Sequence, residues 1–570
     1  MAATIGRRQD NLLRRFPVWT PRTFDQMLDF AAAEFPDRDY VITDTARYTY
    51  DDIKRWSQRI AGGLVEAGIR AGDHVAIVLA NYPEFVAVKY AIARVGATCI
   101  PINFLNRRDE LGYVLLQSDA ALLITMDSFR DLDYLQALDE LAPGWEVEGG
   151  GAAFPRLKRI VVFPASGARV RAGATAFTEL ESAAHPYQGV PAPDPASLSD
   201  IIYTSGTTGP PKGVMLTHDM LLRAAFGSVF GRAFDDAWRV VFSLPMYHVY
   251  GYVEGVLTVP FVGGAIIPQV KFDPAATLRA IERHEADDVL LVPTMTLLVL
   301  DELRARKYQL ASLRAVISSG QRSPAAIWKD IFELMHPAEV TTGYGMTEVT
   351  ATTTLTRPDD PFERLLETNG RMRDAGPAGD PALGRRLVVY KIVDPDTRRE
   401  VGPGEAGELL AKGPGVTRGY YNKPEATAEA FDADGWLRTG DLGRFDADGY
   451  LTLVGRRKES YRCGGEQVTP TEVEDVLTSH PGVLQAHVVP VPDERMGEAG
   501  VAFVVLRPES PVAPEELIQL CLSRLARFKA PKYVLPIGAE DLPTTPSGRA
   551  KKFLLTQRAI EQLRLSGKGK

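Results

Sequence analysis

Apolar positions recur along this chain in two alternating rhythms. HVAIVL at 74–79 is short and continuously apolar, as in a strand covered on both faces. The residues after it set Phe85, Val88 and Ile92 on one helical face, and TCIPINF at 98–104 returns to strand. That succession predicts a βαβ unit. The same alternation continues to about residue 340, which predicts a mostly parallel α/β body. Past about residue 384 the rhythm changes to short strands with Gly-rich turns, as in VGPGEAGELLAKGPG and FDADGWLRTGDLGRFDADGYLTLVGR. This predicts a β-rich subdomain over about 384–457, completing a large domain at 1–457.

From 458 to 570 a small α+β domain is expected. Its first helix starts at TPTEVEDVLTSHPG. There Thr469 and Glu472 fit a capping box, Pro470 takes the first helical position, and Val473, Val476 and Leu477 form the buried stripe. A second helix is expected over 513–528. WEVEGGGAAFP (145–155) and GVPAPDPASLSD (189–200) are rich in Gly, Pro, Ala and Ser, and predict surface excursions or a seam. The most apolar stretch, 249–270, carries Glu254, prolines and glycines, so buried strands and turns fit it better than a membrane span.

Composition narrows the class. A length of 570 residues implies several domain-sized units, and 45% hydrophobic with 24% charged residues is ordinary for a soluble globular protein. A net charge of −8 disfavours nucleic acid as a partner. Cys99, Cys463 and Cys521 share no paired spacing, which suits a reducing cytoplasm and argues against a disulfide framework or a cysteine metal site. The start, MAATIGRRQDNLLRRFPVW, has no apolar run of secretory-signal length and supports a transit peptide only weakly.

The densest chemical signal is YTSGTTGPPKGVMLTH at 203–218. Glycines let backbone approach an anion, hydroxyls and N–H groups donate to it, and Lys212 adds charge, which together suit a triphosphate. Pro211 excludes a Walker A loop, which needs glycine before its lysine. The eight histidines form no H-E-x-x-H and no cluster with cysteine, so zinc is not indicated, and no G-x-S-x-G marks an esterase nucleophile.

With PMYHVYG (245–251), TTGYGMTE (341–348), RTGDLG (438–443), GRRKESYRCGGEQVTPTEVE (455–474) and PSGRAKK (546–552), this loop resembles the signature set of the adenylate-forming superfamily. That superfamily includes acyl- and aryl-CoA ligases, luciferases and adenylation domains of peptide synthetases. The resemblance runs from about residue 25 to 555. It implies attack of a carboxylate on the α-phosphate of ATP, then displacement of AMP by a thiol, usually that of coenzyme A. It also implies a small C-terminal domain that moves as a lid.

The implied roles follow position by position. Thr204, Ser205, Gly206, Thr207, Thr208, Gly209 and Lys212 resemble the loop around the β- and γ-phosphates, and Glu348 the magnesium-binding glutamate. Tyr344 would lie against adenine between Gly343 and Gly345, with Thr347 in the same nucleotide site. Asp441 and Arg456 resemble the pair on the ribose hydroxyls. His248 would sit beside the acyl carboxylate, with Gly320 and Met346 in the acyl pocket. Lys458 resembles the hinge, and Gly465 the glycine segment where pantetheine enters. Lys212, Glu348, His248 and Arg549 would carry the chemistry.

Two stretches depart from the pattern. Tyr461, Arg462 and Cys463 stand where many relatives read Ile-Lys-x before Gly-Gly-Glu, and Arg549 stands where the superfamily has its adenylation lysine. A planar guanidinium keeps the charge but not the shape of an ammonium. Arg549 can serve in its own right, Lys551 or Lys552 can replace it, or adenylation is altered. The expected substrate is a medium-chain fatty or aromatic acid. The alternatives are a carrier-protein acceptor, nitrite activation, or an ATP-binding protein without turnover.

Overall fold

The computed structural model describes residues 2–187, 194–204, 210–320, 325–507, 512–545 and 549–567. Two seven-stranded sheets form the body. In one, His74–Val78, Thr98–Pro101, Leu122–Met126 and Arg159–Phe163 run parallel. Leu198–Tyr203 joins Thr98–Pro101 in parallel and turns back through Gly213–Thr217 as an antiparallel hairpin. In the other, Arg239–Phe242, Ala265–Pro268, Asp288–Leu291, Ala315–Ser318 and Glu339–Thr341 are parallel. The βαβ unit forms as its pattern predicts, with Pro83 opening the helix Pro83–Val95 and Gly96 closing it in the left-handed region.

That helix is buried on more than the face carrying Phe85, Val88 and Ile92. Every residue from Phe85 to Val95 is buried, because Phe24–Glu34 and Tyr50–Glu66 also pack on it. Its two charges are paired: Lys89 with Asp200, and Arg94 with Asp29 at 2.6 Å. Buried cations without carboxylates would be strongly destabilising.

After the body, Val389–Val393, Gly407–Lys412, Leu437–Phe445 and Leu451–Arg456 make an antiparallel four-stranded sheet. The register sets Asp441 opposite Arg456. The small C-terminal domain is a second mixed sheet. In its long hairpin Val483–Asp493/Gly497–Leu506, the strand Gly497–Leu506 also pairs along its other edge with Tyr461–Cys463 at its start and in parallel with Tyr533–Pro536 further on, with separate apolar clusters on the two faces. The molecule is therefore an α/β protein with a large N-terminal and a small C-terminal domain.

Four local expectations change. Thr469 makes no side-chain cap, because the Glu472 N–H donates to the Thr469 carbonyl at 3.1 Å, and the Glu472 carboxylate is taken by the Lys529 ammonium; Pro470 does open the helix and Val473 and Leu477 are buried, while Val476 is half-buried. The helix expected over 513–528 is shorter, Pro514–Arg524. The apolar stretch 249–270 is helical first, through Val249–Gly251, Tyr252–Val256 and Val259–Val262, and extended only at Ala265–Pro268. Its coil sits so close to the sheet that a Cβ on Gly251 would lie 2.6 Å from the Leu244 carbonyl oxygen, and Glu254 is held inside by Arg373 at 3.4 Å. Finally, 145–155 does run over the surface, with Val147 84% exposed, but it is pinned there: Trp145 is buried in the main core with its Nε1 donating to Asp139 at 2.9 Å, and Gly150 donates to Leu157. Of the 189–200 seam, residues 189–193 lie outside the described residues and Leu198 already begins a strand.

The N-terminal helix Ala2–Arg15 also belongs to the body, burying Ile5 and Leu12. Arg8, 2% exposed, pairs with Glu339, donates to the Ala233 carbonyl at 2.9 Å and lies over Trp238. Among the described residues no helix is long and apolar enough to cross a membrane. Removing one member of the buried pair strands the other, so Arg8→Ala is expected to cost about 3–5 kcal/mol. Arg8→Met with Glu339→Met should cost clearly less in the same chemical-denaturation measurement.

Candidate active site

The phosphate-loop motif sits at the tip of the hairpin Leu198–Tyr203/Gly213–Thr217, where β pairing ends at Tyr203 and Gly213. Thr204 N–H donates to the Lys212 carbonyl at 3.0 Å, closing the base of the loop. Ser205, Gly206, Thr207, Thr208 and Gly209 lie outside the described residues. Tyr113 from the helix Arg108–Gln117 donates its hydroxyl to the Pro211 carbonyl at 3.0 Å, fixing the residue before Lys212. The Lys212 ammonium rests 4.8 Å from the centroid of the Tyr420 ring, and the Tyr420 hydroxyl donates to Glu348 Oε1 at 3.0 Å. Burial raises the Glu348 carboxyl above its usual range, while its own backbone N–H and the Tyr420 hydroxyl act the other way.

Gly343–Met346 pairs antiparallel with Ala351–Leu355. A Cβ would lie 2.2 Å from the Thr354 carbonyl oxygen at Gly343, and 1.7 Å from that of Ala351 at Gly345. Both glycines are thus required by strand packing, whatever the ligand. Tyr344 is buried between them and donates its hydroxyl to Asp441 Oδ2 at 2.6 Å, while Asp441 Oδ1 accepts from Arg456 Nε at 2.8 Å. Met346 is half-buried in line with this chain, and Thr347 begins the short turn that carries Glu348. Ser319 donates to the Gly343 carbonyl at 2.7 Å, which ties the neighbouring Gly320 to the same wall.

Arg549 enters from the small domain. Its turn is closed by Thr545, whose N–H donates to the Arg549 carbonyl at 2.6 Å and whose Oγ1 accepts from Arg549 N–H at 3.0 Å. Its Nε reaches the Gly320 carbonyl at 3.4 Å across the domain boundary. Burial, then the nearby charge of Arg456, lowers the guanidinium below its usual range. His248 feels the same charge: burial first and Arg549 second push its imidazole down to about 4. His248 Nδ1 accepts the Tyr250 backbone N–H at 3.2 Å, so the neutral ring carries its proton on Nε2. Lys552 is committed elsewhere, bound to Glu459 at 3.0 Å and Glu474 at 2.8 Å.

The remaining positions are Lys458, expected as the hinge, and the second glycine motif. Arg457 N–H donates to the Gly440 carbonyl, and the Arg456 carbonyl accepts from Glu459 N–H, Ser460 N–H and Ser460 Oγ, so Lys458 lies inside a turn bonded on both sides. Gly464 and Gly465 both have positive φ, 63° and 90°, in the two-residue turn between Tyr461–Cys463 and Glu466–Val468. Arg462 reaches back to the Gly465 carbonyl at 3.4 Å. Among the described residues, Gly465 makes its contact within this hairpin, to Arg462.

Lys212, Glu348, Tyr344, Asp441, Arg456, His248, Gly320 and Arg549 are thus linked by direct contacts or short-range charge. Sequence reasoning missed Tyr420 and Tyr113. Their only signals were an aromatic pair after Gly419 and a tyrosine on a helix, neither of which names a phosphate loop.

Comparisons with known proteins identify the family. The AMP-binding enzyme family matches residues 28–421 and its C-terminal domain family matches 472–549. A medium-chain acyl-CoA ligase of Danio rerio is 30% identical over 95% of this chain and 89% of its own. A feruloyl-CoA synthase of Amycolatopsis is 33% identical over 88% of this chain and 92% of its own. The o-succinylbenzoate-CoA synthetase of Bacillus subtilis, solved with its acyl-adenylate intermediate, superposes with a TM-score of 0.77 at 26% identity, over 94% of this chain and 98% of the other. Two family matches spanning most of the chain, together with these relatives, show that it belongs to the adenylate-forming superfamily, among the AMP-forming acid–CoA ligases.

Proposed function

We propose that this chain activates an apolar carboxylic acid, medium-chain fatty or aromatic, as its adenylate, and then transfers the acyl group to the thiol of coenzyme A. The observation that carries this reading is the Arg549 side chain reaching across to Gly320, beside His248 and the Asp441–Arg456 pair. Adenylation brings a carboxylate against a polyanion, so fixed cations and donors where charge develops are the main requirement.

Arg549 would supply the cation between carboxylate and α-phosphate. His248, neutral with a proton on Nε2, would donate to the carboxylate without adding charge. Lys212 and the loop from Thr204 would hold the outer phosphates, and Asp441 with Arg456 the ribose. Glu348, buried and already accepting from Tyr420, fits a ligand for a divalent cation, which when bound would neutralise phosphate charge. The apolar tail is supported by Val249, Tyr252 and Val253, all buried after His248, and by Tyr250, whose hydroxyl is already used on the Leu291 carbonyl at 3.1 Å. The Gly464–Gly465 turn would receive pantetheine, with Arg462 supplying charge.

Pyrophosphate release with ATP, Mg2+ and a panel of acids tests the reading. Release that depends on medium-chain or aryl acids, followed by a CoA thioester, is expected. Release dependent on nitrite alone, thioester formation only on a carrier protein, or ATP binding without release would overturn it.

Arg549→Ala should lower acid-dependent pyrophosphate release by about 10²–10³-fold, as for loss of a charge-stabilising donor. Arg549→Lys tests the departure from the superfamily. A lysine in this half-buried place beside Arg456 is driven toward its neutral form, so it is charged below its depressed pKa and loses its charge as pH rises through it. The variant should therefore lose activity on the alkaline side, over a range where the wild type stays flat. Nitrogen NMR of the His248 ring should show Nδ1 unprotonated between pH 6 and 8, with protonation only near the depressed value of about 4.

A further inference from the structure

We propose that Tyr420 is a positioning residue that joins the phosphate-binding lysine to the cation-binding carboxylate. The inference rests on the ATP-site reading above and adds a residue to it. The same side chain makes both contacts: its ring lies under the Lys212 ammonium with the nitrogen 4.8 Å from the centroid, and its hydroxyl donates to Glu348 Oε1 at 3.0 Å. A cation over an aromatic face and a hydrogen bond to a carboxylate are both directional, so one ring sets the separation of two charged groups that must meet one triphosphate.

The fold holds the ring tightly. Tyr420 bridges to Val214 on the strand that follows Lys212, and its N–H donates to Thr427 Oγ1 at 3.0 Å. On either side, Gly419 accepts from Met215 N–H and Tyr421 N–H donates to the Gly213 carbonyl. Thr417 N–H donates to the Glu348 carbonyl at 2.8 Å. Residues 417–421 are thus stitched to the phosphate hairpin on one side and to the Glu348 turn on the other. A ring fixed at this seam leaves Glu348 one oxygen committed to protein and its orientation defined.

The test reads binding rather than turnover, so it does not depend on knowing the acid. Calorimetry on the full chain measures ATP affinity in EDTA and again with increasing Mg2+. Tyr420→Phe keeps the ring and removes the hydroxyl; it should leave ATP affinity in EDTA within about twofold and reduce the gain given by Mg2+ by about three- to tenfold, the range of one hydrogen bond. Glu348→Gln should remove that gain, and adding Tyr420→Phe to it should change nothing further, because the two act through one contact. Tyr420→Leu should also weaken ATP binding in EDTA through Lys212. Equal Mg2+ gains in wild type and Tyr420→Phe, or additive effects with Glu348→Gln, would overturn the proposal while leaving the ATP site intact. Failure of the wild type to bind ATP would overturn both the proposal and the ATP-site reading.

Discussion

The Arg456–Asp441 ion pair is the interaction on which the site's layout depends. The two residues face each other across adjacent strands, so the sheet register itself sets their separation. Asp441 extends the pair to the buried Tyr344 hydroxyl, and the Arg456 carbonyl anchors the turn that contains Lys458. One residue therefore touches the proposed ribose site through its side chain and the proposed hinge through its backbone. Its charge also bears on Arg549, which arrives from the other domain. Mutual repulsion of these two cations is tolerable only with anions near them, and Asp441 and Glu459 are close to both.

The order of parts along the chain was legible because each part has its own periodicity. Alternating apolar strands and helices marked the α/β body, and Gly-rich turns marked the β-rich sheet. Sequence reasoning failed where a contact distant in sequence decides the outcome. Glu472 is a good capping residue by spacing, but Lys529 claims its carboxylate. The 249–270 stretch is apolar enough for strands throughout, but only Ala265–Pro268 pairs into a sheet, and the residues before it pack as close-fitting helical turns. Trp145, in a Gly-rich run that looks like a loop, is a core residue whose indole N–H is satisfied by Asp139 and whose ring is covered by Arg171.

The candidate site divides in the same way. Lys212, Glu348, His248, Asp441 and Arg456 stood out because short motifs bring their own structural context with them. Tyr420 did not, since its meaning lies in two partners that the sequence places 208 and 72 residues away. Gly343 and Gly345 carry a requirement that the motif does not reveal. Their first requirement is backbone against backbone, and a ligand can only use a space that strand pairing has already made necessary.

The turn 542–555 shows most clearly how geometry decides between residues that sequence leaves equivalent. Arg549, Lys551 and Lys552 are three basic side chains within four positions. Lys552 opens a helix and is held by Glu459 and Glu474 within its own domain, so moving it into the site would leave two carboxylates uncompensated. Arg549 is the one whose side chain crosses to the large domain. The ion pairs of Lys552 with Glu459 and Glu474 then have a part to play in that crossing. Glu459 follows Lys458 directly, and Lys552 lies three residues after Arg549, so their ion pair ties the end of the hinge turn to the base of the loop that carries the guanidinium. A rotation at Lys458 must break the bonds to the Arg456 carbonyl, but it can leave the Glu459–Lys552 pair whole. Arg549 would then be withdrawn and returned as part of a rigid unit, its position set by the hinge rather than by the flexibility of its own loop.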